Sequence, residues 1–389
     1  MALKKHLYPR LLVIDMTPVG HISATGQLKK TFLGDWPTDK FLQLWNLQAS
    51  QKQIHIKRLS QPVIEAETPA YSVSEAAQIA VNFKPDIIYF RPVDMDVLFD
   101  VTELILSKTK KPLVIHIMDD WPERLRITNT EKFSNLNPRL LKLIKRAKTL
   151  ISISEAMSHA YSKRYGGKWY PLANGVDRSE FIFKNWEKRP PVSPENPFVV
   201  RYMGGLAEDM SLSSVSDVAV VISILSSRIP VRFEIYTMDW YLNKAKTRFQ
   251  ILNAVSVNKL VEEDQYKSLL SEADALLIAY NFDENTCIYT RLSMANKMPE
   301  CFVSGAAVIA YGPSSIATID FIDKTGSASV IKQSDFRLLR AAILKLINDK
   351  HFCAELSKKG QEMVKSKLSK KQVQDKFLSF ILKASSNKT

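Results

Sequence analysis

The sequence has few cysteines and no long hydrophobic segment, and both absences restrict what the protein can be. Its three cysteines, Cys287, Cys301 and Cys353, are odd in number and widely separated, so we expect neither a disulfide framework nor a zinc site. No apolar stretch approaches the roughly 20 residues that a bilayer-spanning helix needs. The N-terminal segment also lacks the apolar region and small-residue cleavage site of a secretory signal. These absences predict a cytoplasmic chain with reduced thiols.

The length of 389 residues predicts two domains, because one hydrophobic core rarely organises so long a chain. Short apolar runs suited to buried strands alternate with helical patterns, which indicates parallel sheets with crossover helices. This alternation restarts at residue 198, after a proline-rich passage. We therefore predict an α/β protein with two Rossmann-like domains that face each other across a cleft, with residues 1–185 in the first domain, 186–197 in a linker and 198–368 in the second.

The formal net charge of +14 implies an anionic partner, and the densest group of cations lies within residues 139–148. Apolar residues recur there at helical spacing, with the cations mostly on the other face. A surface helix packed on the core and a helix lying on an anionic membrane are both open interpretations. We do not expect nucleic acid as a partner, because no zinc-finger spacing, basic zipper or aromatic strand motif is present. The cations that would face a membrane are Lys142, Lys145, Arg146 and Lys148.

A glycine-containing loop follows the first expected strand, at Gly20, Thr25 and Gly26. Glycines at this place let backbone approach a ligand, and a following helix N-terminus favours negative charge, so the loop is a candidate for phosphate or acceptor binding. Its spacing matches neither the dinucleotide fingerprint nor a phosphate loop with its lysine. An ordinary turn between strand and helix is an equally open interpretation.

A second polar group, His116, Asp119 and Asp120, lies where a buried strand is expected to end. A histidine can donate to sugar or phosphate oxygens, and carboxylates can accept from sugar hydroxyls. The alternative is a core histidine beside two helix-capping aspartates. Asp94 and Asp96 spell the Asp-x-Asp sequence that some sugar transferases use for a metal, but we expect helix capping there and predict no metal site.

Several segments in order along the chain resemble the retaining GT-B glycosyltransferases of family 4. The first half carries 150–157, 161–166 and the close Asn174-Gly175-Val176-Asp177, and the second half opens with 200–206. The resemblance implies that the first domain binds the acceptor and the second binds a nucleotide-diphosphate sugar. It also implies that a final helix, over residues 369–389, returns to the first domain.

The donor-site resemblance is carried mainly by residues 279–313. It implies that Lys297 faces the donor diphosphate, that Glu300 accepts from the ribose hydroxyls, and that the amides of Gly204 and Gly205 meet the donor phosphates. Further donor-site candidates are Asp283, Glu284, Arg291 and Ser293. The expected base-binding residues, in loops after donor-domain strands, are Thr237, Val257 and Asn258.

Two departures from the family pattern concern the donor. Many members have a glutamate eight positions before the residue matched by Glu300, and this chain has Leu292. Many also place an arginine and a lysine just after the glycine turn, whereas residues 206–211 read Leu-Ala-Glu-Asp-Met-Ser. We therefore expect an altered contact with the donor sugar and weaker charge compensation of its diphosphate.

The resemblance implies sugar transfer with retention of anomeric configuration, with the nucleotide sugar as substrate and with neither a metal nor a cofactor. His116, Asp119 and Asp120 are then the catalytic candidates, which orient the acceptor or the reacting sugar. The expected partners are the nucleotide sugar, a glycan or lipid-linked acceptor, and an anionic membrane at its inner face. Two alternatives stay open: a nucleotide-sugar epimerase, and a noncatalytic partner protein that kept the GT-B fold.

Overall fold

The computed structural model describes residues 8–21, 24–48, 50–59 and 68–386. Residues 1–7 of the N-terminal segment and residues 387–389 of the expected final helix lie outside this part. The chain divides into two units, one formed by Met1–Gly175 with Lys370–Thr389 and the other by Val176–Ser369. Among the helices within the described ranges, none combines the length and the apolar character needed to cross a bilayer.

The first unit is built on an eight-stranded sheet with the order β4-β3-β2-β1-β5-β6-β7-β8. Its pairs are parallel except those that β3 makes with β2 and β4. The strand order reverses between β1 and β5, which are neighbours in the sheet. The strands are β1 (Leu11–Asp15), β2 (Phe41–Trp45), β3 (Ile54–Arg58), β4 (Ala70–Tyr71), β5 (Ile87–Phe90), β6 (Leu113–Ile117), β7 (Thr149–Ser152) and β8 (Trp169–Pro171).

Helices cover the faces of this sheet, and one of them comes from the end of the chain. Phe377 of that last helix packs its ring 4.8 Å from the ring of Phe32 and 5.6 Å from that of Tyr89. The C-terminal segment therefore belongs to the hydrophobic core of the first unit. The helices of this unit are α1 (Ala24–Leu33), α2 (Val73–Asn82), α3 (Asp96–Thr109), α4 (Trp121–Thr128), α5 (Thr130–Arg146), α6 (Glu155–Tyr165) and the last helix, α15 (Lys370–Ser385).

The second unit has a six-stranded, fully parallel sheet with the order β11-β10-β9-β12-β13-β14. This is the doubly wound Rossmann order, and its reversal lies between β9 and β12. The strands are β9 (Phe198–Met203), β10 (Val231–Thr237), β11 (Val255–Lys259), β12 (Ala275–Ala279), β13 (Ala307–Tyr311) and β14 (Ser329–Ile331). The helices are α7 (Leu212–Leu225), α8 (Asp239–Phe249), α9 (Glu263–Glu272), α10 (Glu284–Thr290), α11 (Met298–Val303), α12 (Ala317–Thr325), α13 (Phe336–Asn348) and α14 (Lys350–Lys367).

Central strands of both sheets are buried along their whole length, as in β1, β6, β12 and β13. Parallel sheets covered by helices on both faces require continuous burial, so their strands have continuous apolar sequences rather than alternating ones. The short apolar runs of the sequence are therefore explained by this packing.

The proline-rich passage differs from its prediction. The sequence predicts a linker over 186–197, but in the structure this passage packs on the second unit, and the first unit ends at Gly175 rather than at 185. The indole of Trp186 is buried and donates to the Gly305 carbonyl at 2.9 Å. Arg189 pairs with the buried Asp274 at 2.7 Å. A buried carboxylate needs a cation, so this pairing fixes the passage to the second unit.

Candidate functional site

The two sheets place their candidate sites at equivalent positions. In open α/β sheets, ligands bind outside the carboxyl ends of the strands at the point where the strand order reverses. In the first unit this point lies after β1 and β5, and in the second it lies after β9 and β12. The residues that follow these four strands therefore form the candidate sites.

In the second unit, Lys297 lies directly over the glycine turn that follows β9. A Cβ atom on Gly204 would lie 3.0 Å from the ammonium nitrogen of Lys297 and 3.4 Å from the hydroxyl of Tyr202. The ammonium donates to the Met203 carbonyl at 3.0 Å and sits 3.7 Å from the centroid of the Tyr202 ring. A lysine cation and glycine backbone thus share one small region, which is the combination that a phosphate group requires.

The glycine turn is held by hydrogen bonds from its own loop. The Tyr202 hydroxyl donates to the Gly205 carbonyl at 2.6 Å, and Ser211 Oγ donates to the same carbonyl at 2.9 Å. Asn281, which follows β12, accepts from Ser214 N at 3.1 Å and donates to the Glu208 carbonyl at 2.7 Å. The two loops at the strand reversal therefore form one connected structure.

Glu300 lies in α11, the helix that begins directly after Lys297. Its carboxylate is half-buried and accepts from the Tyr266 hydroxyl at 2.9 Å. Burial and the charge of Glu300 raise the pKa of Tyr266 well above its usual value, so this tyrosine remains a donor. Lys297 and Glu300 are therefore positioned by the same helix start.

The other donor candidates are less closely associated with the glycine turn. Asp283 caps α10 by accepting from the amide and hydroxyl of Thr286, at 2.9 and 2.8 Å. These hydrogen bonds outweigh the effect of burial and lower the pKa of Asp283. Glu284 and Arg291 are exposed, and Ser293 is half-buried. The capping contacts give Asp283 a local structural role in addition to its predicted role in donor binding.

The expected base-binding residues lie in two different places in the second unit. Thr237 is the last residue of β10. Tyr236 pairs with Met203, so the next position along each strand sets Thr237 beside Gly204. It is fully buried, and within the described part of the chain its hydroxyl has no hydrogen-bond partner. Val257 and Asn258 lie in the edge strand β11, two strands away from β9. Only Thr237 is therefore next to the glycine turn.

Two aromatic residues lie beside the turn, and one of them, Tyr241, was not among the predicted site residues. Tyr241 has a ring atom 3.5 Å from the position that a Cβ on Gly205 would occupy. Trp240, whose ring centroid is 5.9 Å from that of Tyr241, is 72% exposed. An exposed indole at the carboxyl edge of a sheet is the signal that could have identified them, because it offers a stacking face to a planar ligand.

In the first unit, three polar side chains form a row across adjacent central strands. The ladder pairs Ile14 with Phe90 and Phe90 with Ile115, and the Arg91 amide continues it by donating to the Ile14 carbonyl at 3.0 Å. The next positions along the three strands are Asp15, Arg91 and His116. Paired positions of neighbouring strands share a face of the sheet, so these side chains lie together on one face at its carboxyl edge.

This row carries a buried charge network that the sequence did not reveal. Asp15 pairs with Lys29 of α1 at 2.5 Å and with Nε of Arg91 at 2.8 Å. The Lys29 ammonium also donates to the Thr17 carbonyl. Although burial opposes ionisation of Asp15, the two cations lower its pKa. Burial lowers the pKa of Lys29 to about 8, with Asp15 opposing that shift. The available signal was a charged residue at the end of one buried strand, β1, and another directly after a second, β5.

His116 is fully buried and neutral. Its Nδ1 is 2.9 Å from the Tyr89 hydroxyl, and no partner for Nε2 is found among the residues that the structure describes. Burial and the nearby Arg91 lower the pKa of His116 to about 3. A neutral imidazole can donate or accept at Nε2, depending on its tautomer.

The two aspartates after β6 differ in their burial and in their partners. Asp119 is about half-exposed, and its carboxylate lies 3.8 Å from a terminal nitrogen of Arg91. Asp120 is fully buried and accepts from Arg164 at 2.7 Å and from the Tyr161 hydroxyl at 2.9 Å. The alternative interpretation of Asp120 as a helix cap does not hold, because its side chain makes no capping hydrogen bond to α4. Asp119 and His116 thus lie beside Arg91, whereas Asp120 forms a structural ion pair with Arg164.

The glycine loop after β1 is closely packed. Gly20 has a φ of +85° and donates its amide to the Gly26 carbonyl at 3.3 Å. A Cβ on Gly26 would lie 2.4 Å from the His21 carbonyl oxygen. Thr25 is half-buried in the first turn of α1. Both glycines are therefore required by the backbone of this turn, and ligand binding by the loop remains a prediction.

Neither the Asp-x-Asp sequence nor the basic stretch adds a site at the strand reversals. Asp94 pairs with Arg124 at 3.2 Å, and Asp96 accepts from Asn135 at 2.6 Å. Over the described ranges, no group of three or more His, Cys, Asp or Glu residues could hold a metal ion. In α5 the apolar residues are buried against the first unit. The exposed cations are Lys142, Lys145 and Arg146 of the helix and Lys148, two residues beyond its end.

Known structures share this architecture. No protein-family model and no curated protein matches the sequence. HepE from Anabaena, solved with UDP and glucose, is similar with a TM-score of 0.67 and 16% identity, over 96% of this chain and 99% of that one. Sucrose-phosphate synthase from Thermosynechococcus elongatus gives a TM-score of 0.65 at 12% identity, over 94% and 96%. An Escherichia coli structure named for trehalose-6-phosphate, bound with UDP-2-fluoroglucose, gives 0.64 at 11%, over 96% and 99%.

These similarities establish the fold. The chain has the GT-B architecture of two parallel-sheet α/β domains, and the predicted fold class is confirmed. The narrower assignment to family 4 stays a prediction.

Proposed function

We propose that this protein is a glycosyltransferase that moves a sugar from a nucleotide-diphosphate sugar to an acceptor hydroxyl. The observation that carries the proposal is the Lys297 ammonium, which lies over the Gly204 turn at the strand reversal of the second sheet. The presence of UDP, or of a UDP-sugar analogue, in the similar HepE and Escherichia coli structures supports the same choice of donor. The two arguments are independent, since one is chemical and the other is architectural.

In the proposed reaction, the bond between the anomeric carbon and the diphosphate oxygen breaks while the acceptor oxygen bonds to that carbon. Negative charge grows on the leaving diphosphate, and Lys297 with the amides of the Gly204-Gly205 turn would stabilise it. The acceptor attacks on the face from which the diphosphate leaves, so the anomeric configuration is retained. The leaving phosphate oxygen takes the acceptor proton, so no protein base is needed. Glu300 would accept from the ribose hydroxyls. We propose that neither a metal nor a cofactor takes part.

The first unit would hold the acceptor. Asp119, which is half-exposed beside Arg91, suits a carboxylate that accepts from an acceptor hydroxyl. His116 keeps a neutral, fully buried ring whose Nε2 has no partner among the described residues, so it would contact a ligand oxygen only in a complex that opens the packing around it. Asp120 would act only indirectly, by fixing α4 and α6 through Arg164.

Donor binding would be weaker than in family members that keep the full motif. Leu292 is buried, so its side chain offers no polar contact to a donor sugar. Glu208 and Asp209 are exposed in the loop where many members have cations. Positive charge at the diphosphate would therefore come from Lys297 and the exposed Arg291. This difference also favours the noncatalytic partner as the main alternative.

A direct test measures binding and turnover separately. Calorimetry with UDP asks whether the nucleotide binds, and incubation with UDP-sugars asks whether UDP is released when glycan or lipid-linked acceptors are added. We expect micromolar to millimolar UDP binding, acceptor-dependent release, and equal rates with and without EDTA. Absence of binding for every nucleoside diphosphate would contradict the donor site and favour a noncatalytic partner. An isomerised sugar formed without acceptor would favour an epimerase, and loss of activity in EDTA would contradict the metal-free mechanism.

We also propose that the acceptor is presented at the inner face of an anionic membrane. The support is the exposed row of cations on α5, whose apolar side is already occupied by the core of the first unit. Because no apolar face of this helix remains for insertion, binding would be electrostatic and peripheral. Screening by salt would therefore release it.

A further inference from the structure

We infer that the first unit recognises its acceptor through an anionic group, a phosphate or a carboxylate, which binds Arg91 while a neighbouring hydroxyl donates to Asp119. The inference rests on the proposed function, since it names the chemical class of the acceptor. Its structural basis is the row of Asp15, Arg91 and His116 at the carboxyl edge of the first sheet.

The buried part of this cluster has an excess of positive charge. Asp15, Lys29 and Arg91 are each at most 3% exposed, and they contribute one negative and two positive charges at neutral pH. The nearest further carboxylate, Asp119, stays about half in solvent and is 3.8 Å from Arg91, beyond hydrogen-bond distance. Asp15 is shared between the two buried cations, and the half-exposed Asp119 only partly compensates the remaining charge, so a ligand anion at Arg91 would be favoured.

Two hydrogen-bonding groups in this row are unused. Of the Arg91 nitrogens, only Nε makes a hydrogen bond to a side chain within the described ranges. A guanidinium presents its terminal N–H groups in a planar fork that matches phosphate or carboxylate oxygens. His116 lies on the neighbouring strand, and adjacent strands of a sheet are about 4.8 Å apart. Its Nε2 is fully buried and has no partner among the described residues. The Arg91 fork can therefore bind two oxygens of one small ligand, and the buried His116 ring on the neighbouring strand would sense the bound charge.

Asp119 marks the side from which a ligand enters. Asp119 is about half-exposed to solvent, and it comes after β6, the strand that contains His116. A sugar phosphate, a uronic acid or another hydroxylated anion places an anionic group and a hydroxyl within the reach of Arg91 and Asp119. A neutral sugar can use only Asp119. The cluster therefore distinguishes an anionic acceptor from its neutral counterpart.

The test compares Arg91→Gln with a matched control, Arg58→Gln, in the full chain. Arg91→Gln leaves the buried Asp15–Lys29 pair with balanced charge, so the fold loses no necessary counter-ion. Arg58 belongs to the same unit, is exposed, and stacks on Phe83 at 4.6 Å. Binding of inorganic phosphate, glucose 6-phosphate, glucuronate and glucose is measured with the donor site saturated by UDP.

We expect wild type to bind at least one of the anions tenfold more tightly than glucose. Arg91→Gln should lose that preference at least tenfold, while Arg58→Gln stays within twofold. Preference for the phosphates over glucuronate identifies a phosphate acceptor, and the reverse identifies a carboxylate. Equal binding of glucose and the anions by wild type, or an unchanged preference in folded Arg91→Gln, would overturn the inference.

Two further measurements cover the remaining outcomes. If Arg91→Gln does not fold, Arg91→Lys is used, because lysine keeps the positive charge but lacks the planar pair of N–H groups. We expect Arg91→Lys to reduce the preference for the anion by less than the tenfold loss expected for Arg91→Gln. In wild type, NMR of the six histidines should show the His116 signal, assigned with His116→Gln, moving when the preferred anion is added. An unmoved signal would also overturn the inference. Failure of UDP to bind contradicts the proposed function instead, and the anion measurements can still be made without UDP.

Discussion

The two strand reversals occupy equivalent places in their sheets but use different chemistry. In the first unit the position is filled with buried ionised side chains, with Asp15 between Lys29 and Arg91. In the second unit it is formed by a glycine turn, with Lys297 lying over Gly204. The same architecture therefore supports one site built from side-chain charge and another built mainly from backbone.

This difference follows from what each site would bind. A nucleotide diphosphate brings its own charge, so the protein needs close backbone approach and one cation. A small acceptor has few groups, and fixed side chains must orient it. Changing residues of one unit while monitoring the other separates their contributions.

The largest effect is expected at the exposed cations of the first unit. Replacing Lys142, Lys145, Arg146 and Lys148 with Gln should abolish pelleting with acidic liposomes, because each cation near such a surface contributes about 1 kcal/mol. Wild type should release as salt rises, and UDP affinity of the variant should be unchanged. Equal pelleting of the two proteins would exclude α5 as the contact. Failure of wild type to pellet at low salt would exclude the membrane.

The second prediction concerns the pH dependence of stability in the first unit. Lys29, which faces Asp15 and Arg91, has a pKa of about 8 in the folded protein against an ordinary value of 10.5. Between these values the unfolded chain holds a proton that the folded protein has released. The unfolding free energy should therefore rise with pH across this window, by about 3 kcal/mol from this residue.

Urea unfolding of wild type and Lys29→Met from pH 7.5 to 10 checks this expectation. Asp15 keeps Arg91 as its counter-ion in the variant. The difference in unfolding free energy between the two proteins should shift in favour of wild type as pH rises. Parallel pH curves would contradict the assignment of a low pKa to Lys29.

The third prediction concerns the donor residues of the second unit. Lys297→Met and Glu300→Gln should each weaken UDP binding by about 1 to 3 kcal/mol, as expected for lost hydrogen bonds to charged groups. Lys324→Met is the control, because that lysine is exposed in the same unit and pairs with Asp320 of its own helix. Calorimetry of the three folded variants gives the result. Unchanged affinity in both donor variants would remove Lys297 and Glu300 from the site.

The smallest effect is expected at the exposed indole beside the turn. Trp240→Ala should reduce UDP affinity by about 1 kcal/mol if the base stacks there. Phe336→Ala, which removes another exposed aromatic side chain of the second unit, serves as the control. UDP should also quench tryptophan fluorescence in wild type more than in the variant. Equal quenching and affinity would place the base elsewhere, next to Val257 and Asn258 for example.

Much of the fold could be predicted because parallel sheets leave a local signal. Runs such as Leu11–Asp15 and Ala275–Ala279 are apolar over their whole length, since helices cover both faces. The linker could not be predicted in the same way. Prolines at 190, 191, 194 and 197 favour extended backbone, but they do not reveal that Arg189 finds the buried Asp274.

The proposed donor site was more predictable than the proposed acceptor site for a related reason. Lys297 and Glu300 are three residues apart, so one helix start positions both of them, and their spacing is visible in the sequence. Asp15, Lys29 and Arg91 come from two strands and a helix, and 76 positions separate Asp15 from Arg91. The pairing of β1 with β5 and the packing of α1 on this sheet make them neighbours.

The sequence by itself determined the two α/β halves and the residue types at each strand end, because burial and backbone geometry act over a few residues. The tertiary structure alone decided which of those residues meet. It separated Asp119 from Asp120, one in solvent and one buried on Arg164, although they are adjacent in the chain. It also left His116 neutral beside an arginine. Side-chain charge depends on burial and on distant partners, and both are set by how strands pair rather than by local sequence.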